Sequence, residues 1–150
     1  MGIRTATNRD RDFILGLAHR FADFELPPWR THDEVAGGTA LRLDHALNAI
    51  SDRSTILIAE GEDGDRLGFA WLLIIEDFYT GEDVAKLSEI AVVRDGAGIG
   101  AALMEATRQW ALAHGCRLIV LNVMEHNEHA RGFYERHGFA PEYTMMVRPL

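Results

Sequence analysis

The stretch NEHARGFYERHGF (127–139) has the pattern of a helix with a defined start and end. Asn127 is a good N-cap, because its side-chain oxygen can accept a backbone N–H of the first turn. Gly138 follows the helical pattern, as glycine commonly does beyond a helix C-terminus. Asn127 and Tyr134 lie nearly two turns apart and therefore share one helix face. Taken alone, Asn127 can be only a cap, and Tyr134 only a packed aromatic side chain.

A second informative stretch, DGAGIGA (95–101), follows a predicted strand and opens a predicted helix. Gly96, Gly98 and Gly100 remove side chains at the turn, so several backbone N–H groups can point outward and bind a phosphate or pyrophosphate. A plain glycine turn is an open alternative. Another is a dinucleotide site that combines the glycines with Glu125 after the next strand, although little chain remains for the usual strands of that fold.

Hydrophobic periodicity predicts the order β-α-α-β-β-β-α-β-α-β. Strands are expected at 2–6, 55–60, 67–75, 85–93, 117–123 and 139–147, and helices at 9–24, 32–50, 99–114 and 127–137. Asn8 is the expected cap of the first helix. The nearly all-apolar segment 117–123 predicts a strand buried on both faces. Three successive strands indicate an antiparallel portion, and the strand–loop–helix–strand segment indicates a parallel pair. The predicted class is therefore mixed α+β, with helices on both faces of the sheet.

Together, the two stretches resemble the GNAT superfamily of acetyl-CoA-dependent N-acetyltransferases. That family has a Q/R-x-x-G-x-G/A loop after its fourth strand and an N-x-x-A-x-x-F-Y-x-x-x-G-F helix after its fifth. The matching positions here are Gly98 and Gly100 in the loop and Asn127, Ala130, Phe133, Tyr134, Gly138 and Phe139 in the helix. The resemblance implies one domain over residues 1–150. Its central sheet would be mixed and mostly antiparallel, with six or seven strands, flanked by about four helices and splayed between strands 4 and 5.

The loop departs from the family pattern at one charged position. Asp95 stands where the family has Gln or Arg, and a carboxylate is unfavourable beside a pyrophosphate unless it points away or is paired. The link from Val92 to Gly98 is also shorter than is usual in the family. Arg94 is the neighbouring residue that could supply the positive charge.

The resemblance implies that acetyl-CoA binds as cosubstrate, with no metal, in a cleft between the strands at 85–93 and 117–123. Backbone of the first strand would hold the pantetheine, the loop amides would take the pyrophosphate, and the motif helix would contact the cofactor arm. The implied cofactor-binding residues are Ala91, Val92, Val93, Gly96, Ala97, Gly98, Ile99, Gly100, Ala101, Asn127, Ala130 and Tyr134.

The implied activity is transfer of an acetyl group to a primary amine of a small molecule or peptide, by direct attack in a ternary complex. The amine must be neutral and the leaving thiolate needs a proton. Tyr134 is the expected acid by its place in the motif. Glu89 is the candidate base, on the strand before the loop and in phase with Leu87 and Ala91. The reserve candidates are Glu76, Asp77 and Glu125.

The acceptor is the least defined part of the predicted site. Aromatic side chains near the first two helices and the strand ends, among them Phe24, Trp29 and Tyr79, are candidates to line its pocket. An alternative function is a non-catalytic acyl-CoA-binding module of the same fold. It is motivated by the general base, which no motif position identifies, and by the loop, which departs from the family pattern.

Composition narrows the function classes further. The 150 residues include 15 Lys and Arg and 23 Asp and Glu, which gives a net charge of −8. This balance argues against a broad nucleic-acid-binding surface and would steer a cationic amine towards the protein. No apolar run is long enough to span a membrane, and the N-terminus lacks a signal-peptide core, so we expect a cytoplasmic protein without membrane contact.

The reactive and metal-binding side chains give no competing site. A single cysteine, Cys116, excludes an intramolecular disulfide and a cysteine-based zinc site. His126 and His129, beside Glu125, are interpreted as surface residues rather than metal ligands. The resemblance also allows a homodimer, for which the apolar tail 143–147 is suited.

Overall fold

The computed structural model describes the whole chain, residues 1–150. The strands are β1 (Gly2–Thr5), β2 (Ser54–Glu60), β3 (Arg66–Glu76), β4 (Asp83–Val92) and β5 (Ile119–Val120), and the helices are α1 (Arg11–Gly16), α2 (His32–Leu47), α3 (Ile99–Ala113) and α4 (Glu128–Arg136). Two short 3₁₀ segments, Asn8–Asp10 and Ala18–Ala22, flank α1. The order of elements is the predicted one as far as α4.

The strands form one sheet in the order β1-β2-β3-β4-β5. The first four pair antiparallel, and β5 lies parallel to β4. The predicted mixed α+β class is therefore confirmed, as is the parallel pair. The sheet has five strands instead of the expected six or seven, because the tail beyond α4 forms none.

Apolar side chains point alternately to the two faces of the sheet, and each face carries an apolar layer. On β2, Ile56 and Ile58 belong to a core cluster with residues of α1 and α2, whereas Leu57 and Ala59 belong to a cluster with residues of α3. Successive strand side chains point to opposite faces, so a sheet covered on both sides needs continuous apolar runs. The run TILIAE met this requirement and was correctly predicted as a strand.

The expected first helix, 9–24, is broken in the structure. Helix α1 ends at Gly16, a weak helix former, and the chain continues in 3₁₀ geometry. The N-terminal cap is Thr7 and not the expected Asn8. The hydroxyl of Thr7 accepts a backbone N–H of the first turn, while Asp10 accepts the N–H of Thr7 at 2.8 Å. This reciprocal capping box fixes the turn that leads from β1 into α1.

Asp10 is a fully buried charge that joins three segments of the chain. Its carboxylate accepts two hydrogen bonds from Arg4 of β1, at 2.9 and 3.0 Å, and one from Nε of Arg66 of β3. The hydrogen bond from Arg4 is the main reason why the pKa of Asp10 lies far below its usual range. This cluster fastens the first turn of the chain to the edge of the sheet.

A β-bulge interrupts the pairing of β3 with β4. Trp71 lies opposite Glu89, but Leu72 lies opposite Leu87, so Ser88 is the extra residue. Glu89 therefore shares the face of its cross-strand partner Trp71, the face covered by α1 and α2, whereas Leu87 packs towards α3. The expectation that Glu89 is in phase with both neighbours is wrong for Leu87 and right for Ala91.

Strands β4 and β5 separate soon after they meet. Only two residue pairs join them, Ala85 with Ile119 and Lys86 with Val120. The predicted strand 117–123 is thus reduced to two residues, and its expected burial on both faces is wrong, because both are half-exposed. Beyond Lys86 the edge of β4 that faces β5 has no strand partner. The expected splay between the fourth and fifth strands is present.

The chain beyond α4 is extended and unpaired. The expected strand or hairpin at 139–147 is absent, and all residues from 140 to 150 are exposed. Phe139 alone stays in contact with the core, through its ring on Tyr134 and a backbone hydrogen bond to the same residue.

Candidate active site

The loop that follows β4 forms a backbone cradle at the start of α3. Gly96 and Gly98 both have φ of +76°, a left-handed conformation that residues with side chains rarely adopt, and a Cβ added at either would meet no atom within 4 Å. Gly98 is the N-cap of α3 without a side-chain hydrogen bond. The first N–H groups of the helix have no acceptor within it. The cradle can therefore receive an anion, as the sequence pattern predicted.

Asp95, the unfavourable carboxylate of this loop, is paired. Nη2 of Arg20 and Nε2 of His129 each lie 3.5 Å from Oδ2 of Asp95. Nη1 of Arg20 also donates to the carbonyl oxygen of Val93 at 3.1 Å. The cation beside Asp95 comes from the 3₁₀ segment after α1, whereas Arg94 is exposed and in no ion pair, so its expected role toward the pyrophosphate stays a prediction.

Helix α4 begins as its sequence predicted. Oδ1 of Asn127 accepts the N–H of Ala130 at 3.3 Å, which confirms the N-cap. Tyr134 is half-buried between the rings of Phe133 and Phe139, with centroid distances of 5.6 and 5.8 Å. The Asn127 amide nitrogen is free of this cap and can reach a ligand in the cleft.

The two sequence motifs meet at Gly100. A Cβ at this position would lie 3.1 Å from Cε2 of Phe133, which is closer than ordinary van der Waals contact. The absence of a side chain therefore lets the first turn of α3 approach α4. This contact joins the phosphate cradle to the helix that carries Tyr134.

Glu89 and Tyr134 both have shifted acidities, and the charge of Glu89 contributes to the shift of Tyr134. Burial raises the pKa of Glu89 to about 7, against the opposing positive charges of Arg42 and Lys86. Burial, and then the negative charge of Glu89, raises the pKa of Tyr134 to about 12. At neutral pH, Glu89 can therefore accept a proton while Tyr134 keeps its own. Such a pair of separated acidities is typical of acid–base sites.

Trp71 contributes an unpaired polar group close to this pair. Its indole is 7% exposed, and Nε1 is a buried side-chain nitrogen without a hydrogen-bond partner. An unsatisfied buried donor is unfavourable by about 1–3 kcal/mol, and functional sites are where such groups are found. Trp71 is the cross-strand partner of Glu89, so a donor and an acceptor stand side by side on the α2-facing side of the sheet.

A family model covers most of the chain. The model of the Acetyltransferase (GNAT) family matches residues 16–139. The chain belongs to the GNAT family. It is therefore an acyltransferase by family, and the family uses acetyl-CoA. The uncharacterized N-acetyltransferase YhfO of Bacillus subtilis (strain 168) is 28% identical over 141 residues, covering 93% of this chain and 89% of YhfO.

Solved GNAT structures share the fold over the full length. A tetramutant of the BH1408 protein from Bacillus halodurans has a TM-score of 0.81 at 23% identity, with 100% of both chains covered. AAC(6′)-Iy in complex with the bisubstrate analog CoA-S-monomethyl-acetylneamine has a TM-score of 0.72 at 21% identity, covering 99% of this chain and 97% of that one. At these identities the likeness concerns the fold.

The cofactor residues expected of a GNAT protein lie around one opening. Ala91 is buried, Val92 is half-buried and Val93 is 39% exposed, on the edge of β4 that has no strand partner. The loop residues 96–101 continue this edge into α3, whereas Asn127 caps α4, Ala130 lies in its first turn and Tyr134 in its last. The contact of Gly100 with Phe133 joins the loop half of the predicted cofactor set to α4, and the roles of these residues stay predictions.

The three predicted acceptor residues are not brought together. Tyr79 is 76% exposed in the turn before β4, packed edge-on against Phe78, and about 20 Å along the strand from Glu89. Phe24 is half-buried and Trp29 is 42% exposed, both in the link between the 3₁₀ segment Ala18–Ala22 and α2. This link follows the segment whose Arg20 contacts Asp95, whereas Tyr79 lies at the opposite end of β4 from Glu89.

The reserve carboxylates are engaged elsewhere or lie apart from the cleft. Asp77 accepts the N–H groups of Tyr79 and Thr80 at 2.9 Å, and these turn contacts lower its pKa. Glu125 is 3.1 Å from Arg131, and Glu76 is exposed at the end of β3. Glu89 is the carboxyl among these candidates whose environment suits a base.

Arg20 and Trp71 belong to the site but carried no motif signal. Arg20 precedes its partner Asp95 by many residues and meets it only through the packing of the first helical region. Trp71 is buried in the core, and its indole N–H has no hydrogen-bond partner. The one hint in the sequence was Asp95, a carboxylate in the predicted phosphate-binding loop, whose charge requires a cation nearby in the fold.

Arg20→Ala is expected to weaken acetyl-CoA binding about tenfold, a loss of about 1.4 kcal/mol. The reason is that Asp95 would then face the pyrophosphate without its guanidinium partner. Titration calorimetry of the wild type, of Arg20→Ala and of both variants with Asp95→Asn checks this. In the Asp95→Asn background the loss should be much smaller. An equal loss in both backgrounds would contradict an action through Asp95.

This GNAT chain has neither a membrane-spanning helix nor a cluster of metal-binding side chains. None of its helices is both long and apolar enough to cross a bilayer. No group of three or more His, Cys, Asp or Glu side chains is placed to hold a metal ion.

Proposed function

We propose that this protein is an N-acetyltransferase that moves an acetyl group from acetyl-CoA to a primary amine of a small molecule or peptide, by direct attack in a ternary complex. The observation that carries the proposal is that burial raises the pKa of Glu89 to about 7 and that burial, with the charge of Glu89, raises the pKa of Tyr134 to about 12. A module that only binds acyl-CoA has no need of two groups with separated acidities.

The cleft fits acetyl-CoA in three respects. The left-handed glycines leave the cradle open, Arg20 neutralises Asp95, and the free edge of β4 offers backbone hydrogen-bonding groups. We propose that the 96–101 amides hold the pyrophosphate and that the backbone of 91–93 holds the pantetheine. Asn127 and Ala130 would then contact the cofactor arm. When bound, the thioester supplies an acetyl group that is already activated for transfer to an amine.

The residues of the cleft then move two protons. The Glu89 carboxylate takes the proton that the attacking amine gives up, directly or through one water, and is ready for this above about pH 7. Tyr134 Oη donates a proton to the departing sulfur, and its raised pKa keeps that proton in place at neutral pH. The apolar surroundings that raise both pKa values also keep bulk water from competing.

Tyr134→Phe is expected to lower kcat by about 100-fold, because the acid is lost while the ring keeps its packing. The Kd for acetyl-CoA should change little. Release of the CoA thiol under saturating substrates measures the first quantity, and calorimetry the second. Tyr143→Phe, which removes an exposed hydroxyl, is the matched control. Unchanged kcat in Tyr134→Phe would assign the proton to another donor.

Trp71 is proposed to complete the acceptor side of the cleft. Its free indole N–H would donate to an oxygen of the acceptor or to a water shared with Glu89, in place of the missing protein partner. Trp71→Phe should therefore raise the acceptor KM about tenfold with a smaller effect on kcat. Trp110→Phe, on α3 across the sheet, is the control. Equal effects in both variants would indicate loss of packing only.

The acceptor class rests on charge and on the neighbours. A net charge of −8 favours encounter with a cationic amine. The bisubstrate analog bound by AAC(6′)-Iy is built on acetylneamine, and another structural neighbour is a ribosomal-protein-alanine N-acetyltransferase from Brucella melitensis. Both small-molecule amines and peptide N-termini therefore belong in the screen.

The deciding experiment is a titration of acetyl-CoA, desulfo-CoA and NADH, followed by thiol release with polyamines, aminoglycosides and N-terminal peptides. Micromolar CoA binding, no NADH binding and thiol release with at least one amine support the proposal. If CoA binds but no amine is turned over, and neither Glu89→Gln nor Tyr134→Phe changes the rate of thiol release, the non-catalytic module would be favoured. Absence of CoA binding would overturn both.

A further inference from the structure

Gly68 is a buried glycine inside a strand in the middle of the sheet. It lies on β3, where Ala59 of β2 is its partner on one side and Val92 of β4 on the other. Glycine weakens the interior of a strand, and there it often marks a place where another backbone approaches closely. The φ of Gly68 is not positive, so its conformation does not itself require glycine. What the position requires is space.

The backbone of β4 occupies the space that a side chain at position 68 would need. A Cβ added to Gly68 would lie 2.7 Å from the carbonyl oxygen of Ala91, and 3.1 and 3.2 Å from Cγ1 and Cα of Val92. The contact with the oxygen is far inside van der Waals distance, and a change of rotamer cannot move a backbone atom. At no other glycine of the chain would a Cβ come within 3.0 Å of another atom.

A bulge on β3 accounts for this close approach. The register between β2 and β3 shifts next to Gly68, and Leu67 is the extra residue. Bulges bend a strand and increase its local twist. The carbonyl oxygen of Leu67 accepts the N–H of Val93 at 2.9 Å, so β3 and β4 stay joined through the bend. The end of β4 is therefore drawn tightly against β3.

The two strands that meet here are not equally free to move. Strand β3 is held on its other side by β2, which pairs with it through Gly68 itself. Strand β4 has no strand partner on its other side beyond Lys86, because β5 has already separated from it. A side chain at position 68 would therefore displace Ala91 and Val92 rather than β3. The displacement would move them away from β3 and into the cleft.

We propose that Gly68 is a positioning residue for the cofactor: by leaving room for Ala91 and Val92, it holds the free edge of β4 back from the space that the pantetheine would fill. This inference rests on the proposed function, which places the pantetheine on the backbone of 91–93 and the pyrophosphate on the amides of 96–101. Gly68 contacts neither group and acts only through β4. Its replacement should impair binding of the pantetheine and spare binding of the phosphates.

Two ligands separate these effects. Titrations followed by backbone amide NMR signals measure the Kd of CoA and that of 3′-phospho-ADP, which is CoA without its pantetheine arm. Gly68→Ala should raise the Kd of CoA by at least about tenfold and that of 3′-phospho-ADP by less than about twofold. Without ligand, the amide signals of 91–93 should move more than those of 96–101. Gly61→Ala, whose Cβ would have only ordinary contacts of 3.6 Å or more, is the matched control and should match the wild type.

A double variant keeps the test valid if Gly68→Ala alone does not fold. Val92→Ala removes the Cγ1 contact but leaves the carbonyl oxygen of Ala91 in place, so Gly68→Ala combined with Val92→Ala is less crowded. Compared with Val92→Ala alone, the double variant should still lose CoA affinity and keep 3′-phospho-ADP. Restored CoA affinity would attribute the loss to side-chain crowding and overturn the proposal. Equal losses for both ligands, or failure of both variants to fold, would also overturn it, because Gly68 would then serve folding alone.

Failure of this inference can be told from failure of the proposed function. The measurements need neither an acceptor amine nor turnover. A wild-type chain that binds neither ligand would overturn both proposals, because the cofactor site itself would be absent. A wild type that binds CoA, together with a Gly68→Ala variant that binds it equally well, would overturn only the role of Gly68.

Discussion

Glu89→Gln is expected to lower kcat at pH 8 by at least about 100-fold, the range of a lost general base. Glutamine keeps the size of the side chain and its place on β4 but cannot take a proton. In the wild type, kcat should rise with pH through an inflection near 7, where the carboxyl ionises. That inflection should vanish in the variant. Rates of thiol release between pH 5.5 and 9 measure both effects.

The same substitution should make the protein more stable in alkaline buffer. Burial raises the pKa of Glu89 from 4.5 to about 7, so the folded state binds its proton more tightly than the unfolded state does. Wild-type stability should therefore fall as pH rises from 4.5 to 7, by up to about 3 kcal/mol. Glu89→Gln lacks this loss, and urea unfolding at pH 5 and pH 8 measures the difference.

The two readouts separate a catalytic role from a merely buried one. Glu76→Gln, at the exposed end of β3, is the control and should change neither rate nor stability appreciably. If Glu89→Gln gained stability above pH 7 without losing activity, Glu89 would be a buried carboxyl only. The base would then have to be sought elsewhere in the cleft.

Asp10→Ala should lower the free energy of unfolding by about 3–5 kcal/mol at pH 7, as is typical when one member of a buried charge cluster is removed. The variant loses the hydrogen bonds from Arg4 and Arg66 together with the capping contact to Thr7. Urea unfolding measures the change. Asp44→Ala, which removes a surface ion pair with Arg11, is the control and should lower stability far less than Asp10→Ala does.

The sign of the pH dependence gives a second check on Asp10. Its pKa lies far below the ordinary value of 3.8, so its contribution is present above about pH 4 and is lost as the pH falls towards the folded-state pKa. The stability difference between wild type and Asp10→Ala should be constant from pH 5 to 7 and shrink below pH 4. A difference that is the same at pH 2.5 would attribute the effect to packing.

Features encoded by adjacent residues were predictable from the sequence. The cap at Asn127, the glycine turn at Gly98 and the continuous apolar run of β2 each depend on local backbone geometry or burial. The structure places them as expected. The family motif is made of such local features, which is why the cofactor side of the cleft was the better predicted part.

Features that depend on pairing between distant segments were not predictable. The phase of Glu89 is set by a bulge that exists only opposite β3. The neutralisation of Asp95 depends on Arg20, which packing alone brings near. The length of β5 and the state of the tail depend on which strand lies beside them. Periodicity identified 117–123 and 139–147 as strand-forming but could not supply their neighbours.

The extra residue at Ser88 ties the opening of the cleft to an irregularity in the pairing of the sheet. Bulges bend a strand and increase its twist, and this one lies two residues beyond the last pair that joins β4 to β5. Deleting Ser88 would restore regular pairing with β3 on both sides of it. The straightened strand would then be expected to continue along β5 and to close the cleft. Ser88 therefore keeps β4 irregular at the point where the cleft opens.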